Sequence, residues 1–139
     1  MIILDTNVVS EAIKPNCDVL VKSWLGRQRV ETLNLTATSL AELLLGMELL
    51  PAGRRKETLR SDLQEIFEKY FGSRILSYDE DAAIAYSSAV AKASRKGRAV
   101  SIADGQIAAI AKVHGFTVAT RDTGPFEAAG VAVVNPWVR

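Results

Sequence analysis

Asp5, Glu42, Asp104 and Asp122 are far apart in the chain, yet each stands where a strand is expected to meet a turn or a helix. Asp5 ends the apolar run Met1-Ile2-Ile3-Leu4. Glu42 opens the helix expected after Leu33-Asn34-Leu35-Thr36. Asp104 opens another helix at Ser101-Ile102-Ala103, and Asp122 follows Thr117-Val118-Ala119-Thr120. In an open parallel sheet such positions meet at the carboxyl edge, where α/β proteins place their sites. Four carboxylates gathered there repel one another and take up protons unless a divalent cation neutralises them. The chemistry expected of the set is therefore a Mg²⁺ or Mn²⁺ site, and phosphodiester hydrolysis by cation-activated water is the reaction that most often uses one.

Each carboxylate also has a purely structural reading. Asp5-Thr6-Asn7 fits an Asx turn that caps a helix. Ser39-Leu40-Ala41-Glu42 has the spacing of a capping box, with Glu42 bonding back to the Ser39 amide, and Ser101-Ile102-Ala103-Asp104 has the same spacing. Asp122, in Thr120-Arg121-Asp122-Thr123-Gly124-Pro125, fits a turn. Cap and ligand are compatible roles, because a carboxylate in a first helical turn also points beyond the helix end.

The elements that must position these residues alternate between strand and helix. Strands are expected at Ile2 to Leu4, Thr32 to Leu35, Arg74 to Ser77, Thr117 to Ala119 and Val131 to Val134, each apolar enough for a buried parallel sheet. Helices are expected at Val8 to Ile13, Asp18 to Gln28 and Ser39 to Leu50. Another carries the stripe Leu59, Leu63, Ile66, Phe67 and Tyr70, and two more span Asp79 to Lys96 and Ile102 to Val113. Gly115 takes the position after a helix end. The expected architecture is one α/β domain over residues 1–139, a central parallel sheet flanked by helices.

Composition sets outer bounds. A chain of 139 residues with 48% apolar and 24% charged residues is long enough for a real core and unlike a disordered segment. A net charge of +1 gives no global field for nucleic acid, although Arg54-Arg55-Lys56 and Lys92, Arg95, Lys96, Arg98 form local basic clusters. Cys17 is the single cysteine and His114 the single histidine, which leaves no disulfide and no zinc site of His and Cys ligands. There is no glycine-rich phosphate loop and no nucleophile elbow. Without a secretory leader or a long apolar stretch, the expected location is the cytoplasm.

Taken together the pieces resemble the PIN domain, in particular VapC-type toxins of bacterial toxin–antitoxin pairs and the FitB-like group. The matching segments are Ile3-Leu4-Asp5-Thr6-Asn7 with Ser10-Glu11, then Ser39-x-x-Glu42-Leu43 with Gly46. Asp104-x-x-Ile107-Ala108 continues to His114-Gly115, Ala119-Thr120-Arg121-Asp122 precedes Phe126, and the chain ends through Asn135-Pro136-Trp137. The resemblance implies a metal-dependent endoribonuclease that cleaves RNA, is blocked by a small antitoxin presenting a basic side chain, and forms a homodimer or a larger complex with that antitoxin. It also implies roles. Asp5 and Asp104 are the principal metal ligands, and Glu42 and Asp122 bind a second ion or orient water. Thr6, Ser39, Thr120 and Arg121 support the carboxylates or hold phosphate. Relatives often carry Asn at the place of Asp122 and Asp at the place of Pro125, so the fourth carboxylate is displaced here. Two alternatives compete: a receiver-like Mg²⁺-binding phospho-acceptor module, and a degenerate PIN scaffold that acts by protein binding.

Overall fold

The computed structural model describes residues 1–139. Five strands form one parallel sheet: β1 (Ile2–Leu4), β2 (Leu33–Thr36), β3 (Ile75–Leu76), β4 (Thr117–Ala119) and β5 (Val133–Val134), in the order β3-β2-β1-β4-β5. Seven α-helices join them. They are α1 (Thr6–Ala12), α2 (Val19–Gly26), α3 (Ala37–Glu48), α4 (Arg54–Ile66), α5 (Glu80–Arg95), α6 (Ile102–His114) and α7 (Thr123–Ala128). A 3-10 turn at Val30–Thr32 precedes β2, and a π turn at Phe67–Phe71 follows α4. No helix is long and apolar enough to cross a membrane.

Alternation along the strands divides the core between the two sheet faces. Ile3 and Val118 face a cluster built on the small buried residues of α5 and α6, with Phe126 and Val131. Leu4, Leu33, Leu35 and Ala119 face Val8, Val9, Leu43, Met47, Leu63 and Phe71 on the other side. Side chains in a strand point alternately to opposite faces, so adjacent residues in β1 and β4 serve different clusters. Asn34 interrupts the apolar run of β2, and its buried amide donates to the Ile2 and Thr32 carbonyls.

The chain order explains where a site can form. β1, β2 and β3 are laid down in one direction across the sheet, and β4 then returns to the free side of β1. The order reverses between β1 and β4, so the crevice at their carboxyl ends is the topological switch point. A receiver-type sheet would run 2-1-3-4-5; here β3 lies at the edge beside β2, and that alternative is discarded.

Several local expectations are corrected. α3 begins at Ala37 rather than Ser39, because Thr36 at the end of β2 is its N-cap and its hydroxyl accepts the Ser39 amide at 3.0 Å. The apolar stripe through Tyr70 is not one regular helix, since the backbone changes to a π turn at Phe67 and buries Phe71. The stretch after Asp122 is a short helix, α7, rather than a simple turn. Val131 lies before the last strand, which starts at Val133. Asp79, Ser101 and Gly115 take the capping positions expected of them.

Close packing of α6 on α5 depends on Gly105. A Cβ there would lie 2.6 Å from Tyr86 Cε2 and 2.9 Å from Val90 Cγ2. Gly105→Ala is expected to force the helices apart at a cost of about 1–3 kcal/mol. Thermal melting against wild type measures it, and an unchanged melting temperature would show that Tyr86 swings clear at no cost. Because Gly105 follows Asp104, the same displacement would shift the first turn of α6 at the site.

Candidate acidic site at the sheet switch point

Register brings the first two site residues together. Leu4 pairs with Ala119 across β1 and β4, so the next residues, Asp5 and Thr120, leave the sheet side by side. The Asp5 amide donates to the Ala119 carbonyl at 2.9 Å, which extends the ladder one step past the strand. Both oxygens of the buried Asp5 carboxylate accept bonds. Oδ1 accepts from the Thr6 amide at 2.8 Å, and Oδ2 accepts from the Thr120 hydroxyl at 2.8 Å. Asp5 therefore caps α1, as its Asx reading allowed, while its carboxylate still lines the cleft.

Glu42 is not part of a capping box. It lies in the second turn of α3, and the Ser39 amide is already satisfied by Thr36. Its Oε1 accepts from the Thr6 hydroxyl at 2.7 Å, and the same hydroxyl lies 2.9 Å from Ser39 Oγ. Thr6 has one hydroxyl proton, which goes to the carboxylate, so Ser39 donates to Thr6 in turn. Ser39, Thr6 and Glu42 thus form a directed chain between α1 and α3.

Asp104 sits in the first turn of α6, with its amide donating to the Ser101 hydroxyl at 3.1 Å. Ser101 does the capping; no bond from the Asp104 side chain back to the Ser101 amide completes a box. Thr38 on α3 donates to Gln106 Oε1 at 2.9 Å and ties the helices that carry Glu42 and Asp104.

Asp122 takes a different course. It stands at the N-cap position of α7 without capping it, is 66% exposed, and has Oδ1 3.9 Å from Arg98 Nη2. Its amide donates to the Thr120 hydroxyl, the group that holds Asp5. The structure brings Asp5, Glu42 and Asp104 to one cleft of about 430 Å³ and leaves Asp122 outside its lining. As the side chains stand, no three acidic groups lie close enough together to share one ion.

Burial drives the electrostatics. Asp5 is only 5% exposed, and burial pushes its carboxyl up to about 6 from an ordinary 3.8. The bonds from Thr120 and Thr6 oppose that rise, and the charges of Asp104 and Glu42 add to it. Asp104 is also raised, first by burial, with the Ser101 hydroxyl opposing and Asp122 and Glu42 repelling. Like charges that each resist ionisation are the condition a hard divalent cation relieves, and the donors are the oxygens such a cation takes.

The other walls of the cleft escaped the sequence reading as a set. Asn7, Ser10 and Glu11 line it from α1, and Lys14 lines it from the bend just past that helix. The spacing of three and one puts Asn7, Ser10 and Glu11 on one helical face, opposite the buried Val8 and Val9, and that polar stripe was the available signal. Glu11 is nearly buried. The Asp18 amide at 3.0 Å and Lys14 Nζ at 3.2 Å bond its two oxygens and hold its carboxyl below the usual range. Arg121 and Trp137 complete the rim.

Comparison with known proteins agrees with this geometry. Residues 2–131 match the family model described as PIN domain. The chain is 45% identical over 137 residues to the VapC ribonuclease Y4jK of Sinorhizobium fredii, covering 99% of this chain and 98% of that one. It is 46% identical over 137 residues to toxin FitB of Neisseria gonorrhoeae, covering 99% of both. A solved structure of FitAB bound to the IR36 DNA fragment superposes with a TM-score of 0.95 at 44% identity, over 100% of this chain and 97% of the other. A parallel sheet whose switch point gathers Asp5, Glu42 and Asp104 is thus found in a chain that matches the family model over residues 2–131 and these relatives over nearly its whole length, and the protein belongs to the PIN-domain family.

Proposed function

We propose that this protein is a Mg²⁺- or Mn²⁺-dependent endoribonuclease and the toxin of a type II toxin–antitoxin pair acting in the cytoplasm. The observation that carries the reading is the cleft at the switch point, where Asp5 and Asp104 resist ionisation beside Glu42 in a lining with only one hydrophobic residue. The names of the ribonuclease Y4jK and of toxin FitB, each matched almost end to end, support it. Similarity to FitAB supports a small antitoxin as partner, one that presents a basic side chain to the carboxylates, and self-association of the toxin belongs to the same proposal.

Asp5 and Asp104 would hold the ion, with much of its shell left to water, as suits Mg²⁺. When bound, such an ion supplies charge neutralisation at the scissile phosphate and acidifies water for attack. The residues of the chain prepare the rest. Thr120 and the Thr6 amide fix the Asp5 carboxylate in one orientation, with remaining lone pairs free for a ligand. Thr6 fixes Glu42 at the same wall, where its free oxygen can accept a proton from an attacking water. Asp122, tied through its amide to Thr120, adds negative potential from outside the cleft. Arg121 supplies a cation at the rim for a substrate phosphate.

Cleavage of single-stranded RNA by the purified protein is expected to stop in EDTA and return with Mg²⁺ or Mn²⁺, with Ca²⁺ a poor substitute because of its longer bonds and looser geometry. Activity that survives exhaustive chelation would remove the metal-dependent reading.

A further inference from the structure

Trp137 is the one hydrophobic residue in the lining of a polar cleft, and it lies past residue 131, where the family match ends. A tight turn after β5 fixes it. Asn135 Oδ1 accepts the Trp137 amide at 2.9 Å, and the Asn135 carbonyl accepts the Val138 amide at 3.3 Å. The half-buried ring packs against the core beneath the cleft and carries the guanidinium of Arg121, whose Cζ is 5.3 Å from the ring centre. Arg121 is in turn anchored to the site. Its amide donates to Asn7 Oδ1 at 3.4 Å, and its chain neighbour Thr120 holds Asp5.

A structural role accounts for this pair poorly. Arg121 is exposed and takes part in none of the ion pairs of the protein, although a carboxylate cluster lies across the cleft. An arginine kept for charge balance would pair with that cluster; this one rests on the indole with its N–H groups unclaimed. Indole and guanidinium are the surfaces on which unpaired nucleobases stack, and a guanidinium can donate to phosphate at the same time. We propose that Arg121 and Trp137 form a nucleobase platform that holds single-stranded RNA beside the acidic site. The proposal rests on the nuclease reading above and adds how substrate is gripped. A duplex hides its base faces in the stack, so the platform selects unpaired strands.

The test uses the full chain carrying Asp104→Asn, so that RNA is held in Mg²⁺ while cleavage is slow. The probes are a short oligoadenylate and the same oligonucleotide with abasic riboses, which keeps the phosphates and removes the stacking faces. Trp137→Ala should weaken oligoadenylate binding about tenfold and leave abasic binding unchanged, whereas Trp137→Phe should retain most of the affinity. With Trp24→Phe added, Trp137 is the only indole, and its fluorescence should fall with oligoadenylate and not with the abasic strand. Equal loss of affinity for both probes, or no loss for either, would overturn the platform. Where Trp137→Ala lowers the melting temperature, the phenylalanine variant and the fluorescence readout decide. Metal-dependent cleavage without base-dependent binding removes the platform and keeps the nuclease; base-dependent binding in a wild-type protein that never cleaves does the reverse.

Discussion

Asp104→Asn and Asp5→Asn proteins are expected to fold and to cleave RNA at least about 10²-fold more slowly than wild type. Each substitution keeps side-chain shape and removes one formal charge from the group proposed to hold the cation. For Asp104 the stability cost should stay below about 1 kcal/mol, because Ser101 and not the Asp104 side chain caps α6. Relief of repulsion from Asp122 and Glu42 can even offset it. Asp5→Asn keeps an oxygen for the Thr6 amide, and the Nδ2 that replaces the second oxygen donates to the Thr120 hydroxyl, which turns its own proton away. Melting temperature and cleavage measured on the same preparations separate a dead, folded nuclease from a destabilised one. Near wild-type cleavage by both variants would sink the assignment of these residues.

Metal-free protein is expected to lose stability as the pH rises from about 4.5 to about 7, the opposite of ordinary acid denaturation. Asp5 titrates near 6 when folded and near 3.8 when unfolded. Between those values the folded chain keeps a proton that the unfolded chain has released, so unfolding becomes progressively easier as pH climbs, and the full penalty is reached above the folded value. Two pH units or so correspond to about 3 kcal/mol, an upper bound for this one group. The upward shift of Asp104 acts in the same direction. Glu11 acts oppositely, since its carboxyl is lowered; its contribution is present above 4.5 and lost below, outside the window in question. Thermal melts in EDTA should therefore show a falling profile for wild type and a flatter one for Asp5→Asn, and Mg²⁺ at neutral pH should recover stability by binding only the assembled site. Parallel profiles for the two proteins would show that burial of Asp5 carries no such cost.

Much of this was written locally in the chain. Apolar runs that stop at Asp5, Thr36 and Thr120 give parallel strands whose ends carry polar side chains, and the alternation with amphipathic helices gives the α/β class. Asp79, Ser101 and Gly115 mark helix ends because capping is a matter of one or two neighbouring residues. Three of the four singled-out carboxylates share one cleft for the same reason: each sits at or near an element boundary on the carboxyl side of the sheet.

Tertiary structure decided what local rules left degenerate. Ser39-x-x-Glu42 and Ser101-x-x-Asp104 have one spacing, yet Thr36 displaces Ser39 as cap and frees Glu42 for Thr6, a residue 36 positions away. Sequence spacing cannot rank two caps that compete for one amide when the winner depends on where β2 ends. Asp122 comes soon after β4 as Asp5 comes after β1, but its exposed carboxylate lies outside the cleft, 3.9 Å from Arg98 in the segment past α5. The indole of Trp137 meets the acidic cluster only because β4 returns to the free edge of β1 and carries β5 and the last residues with it. Strand order is set by which buried faces pack best across the whole molecule, and that sum over distant contacts is the part a local pattern does not contain.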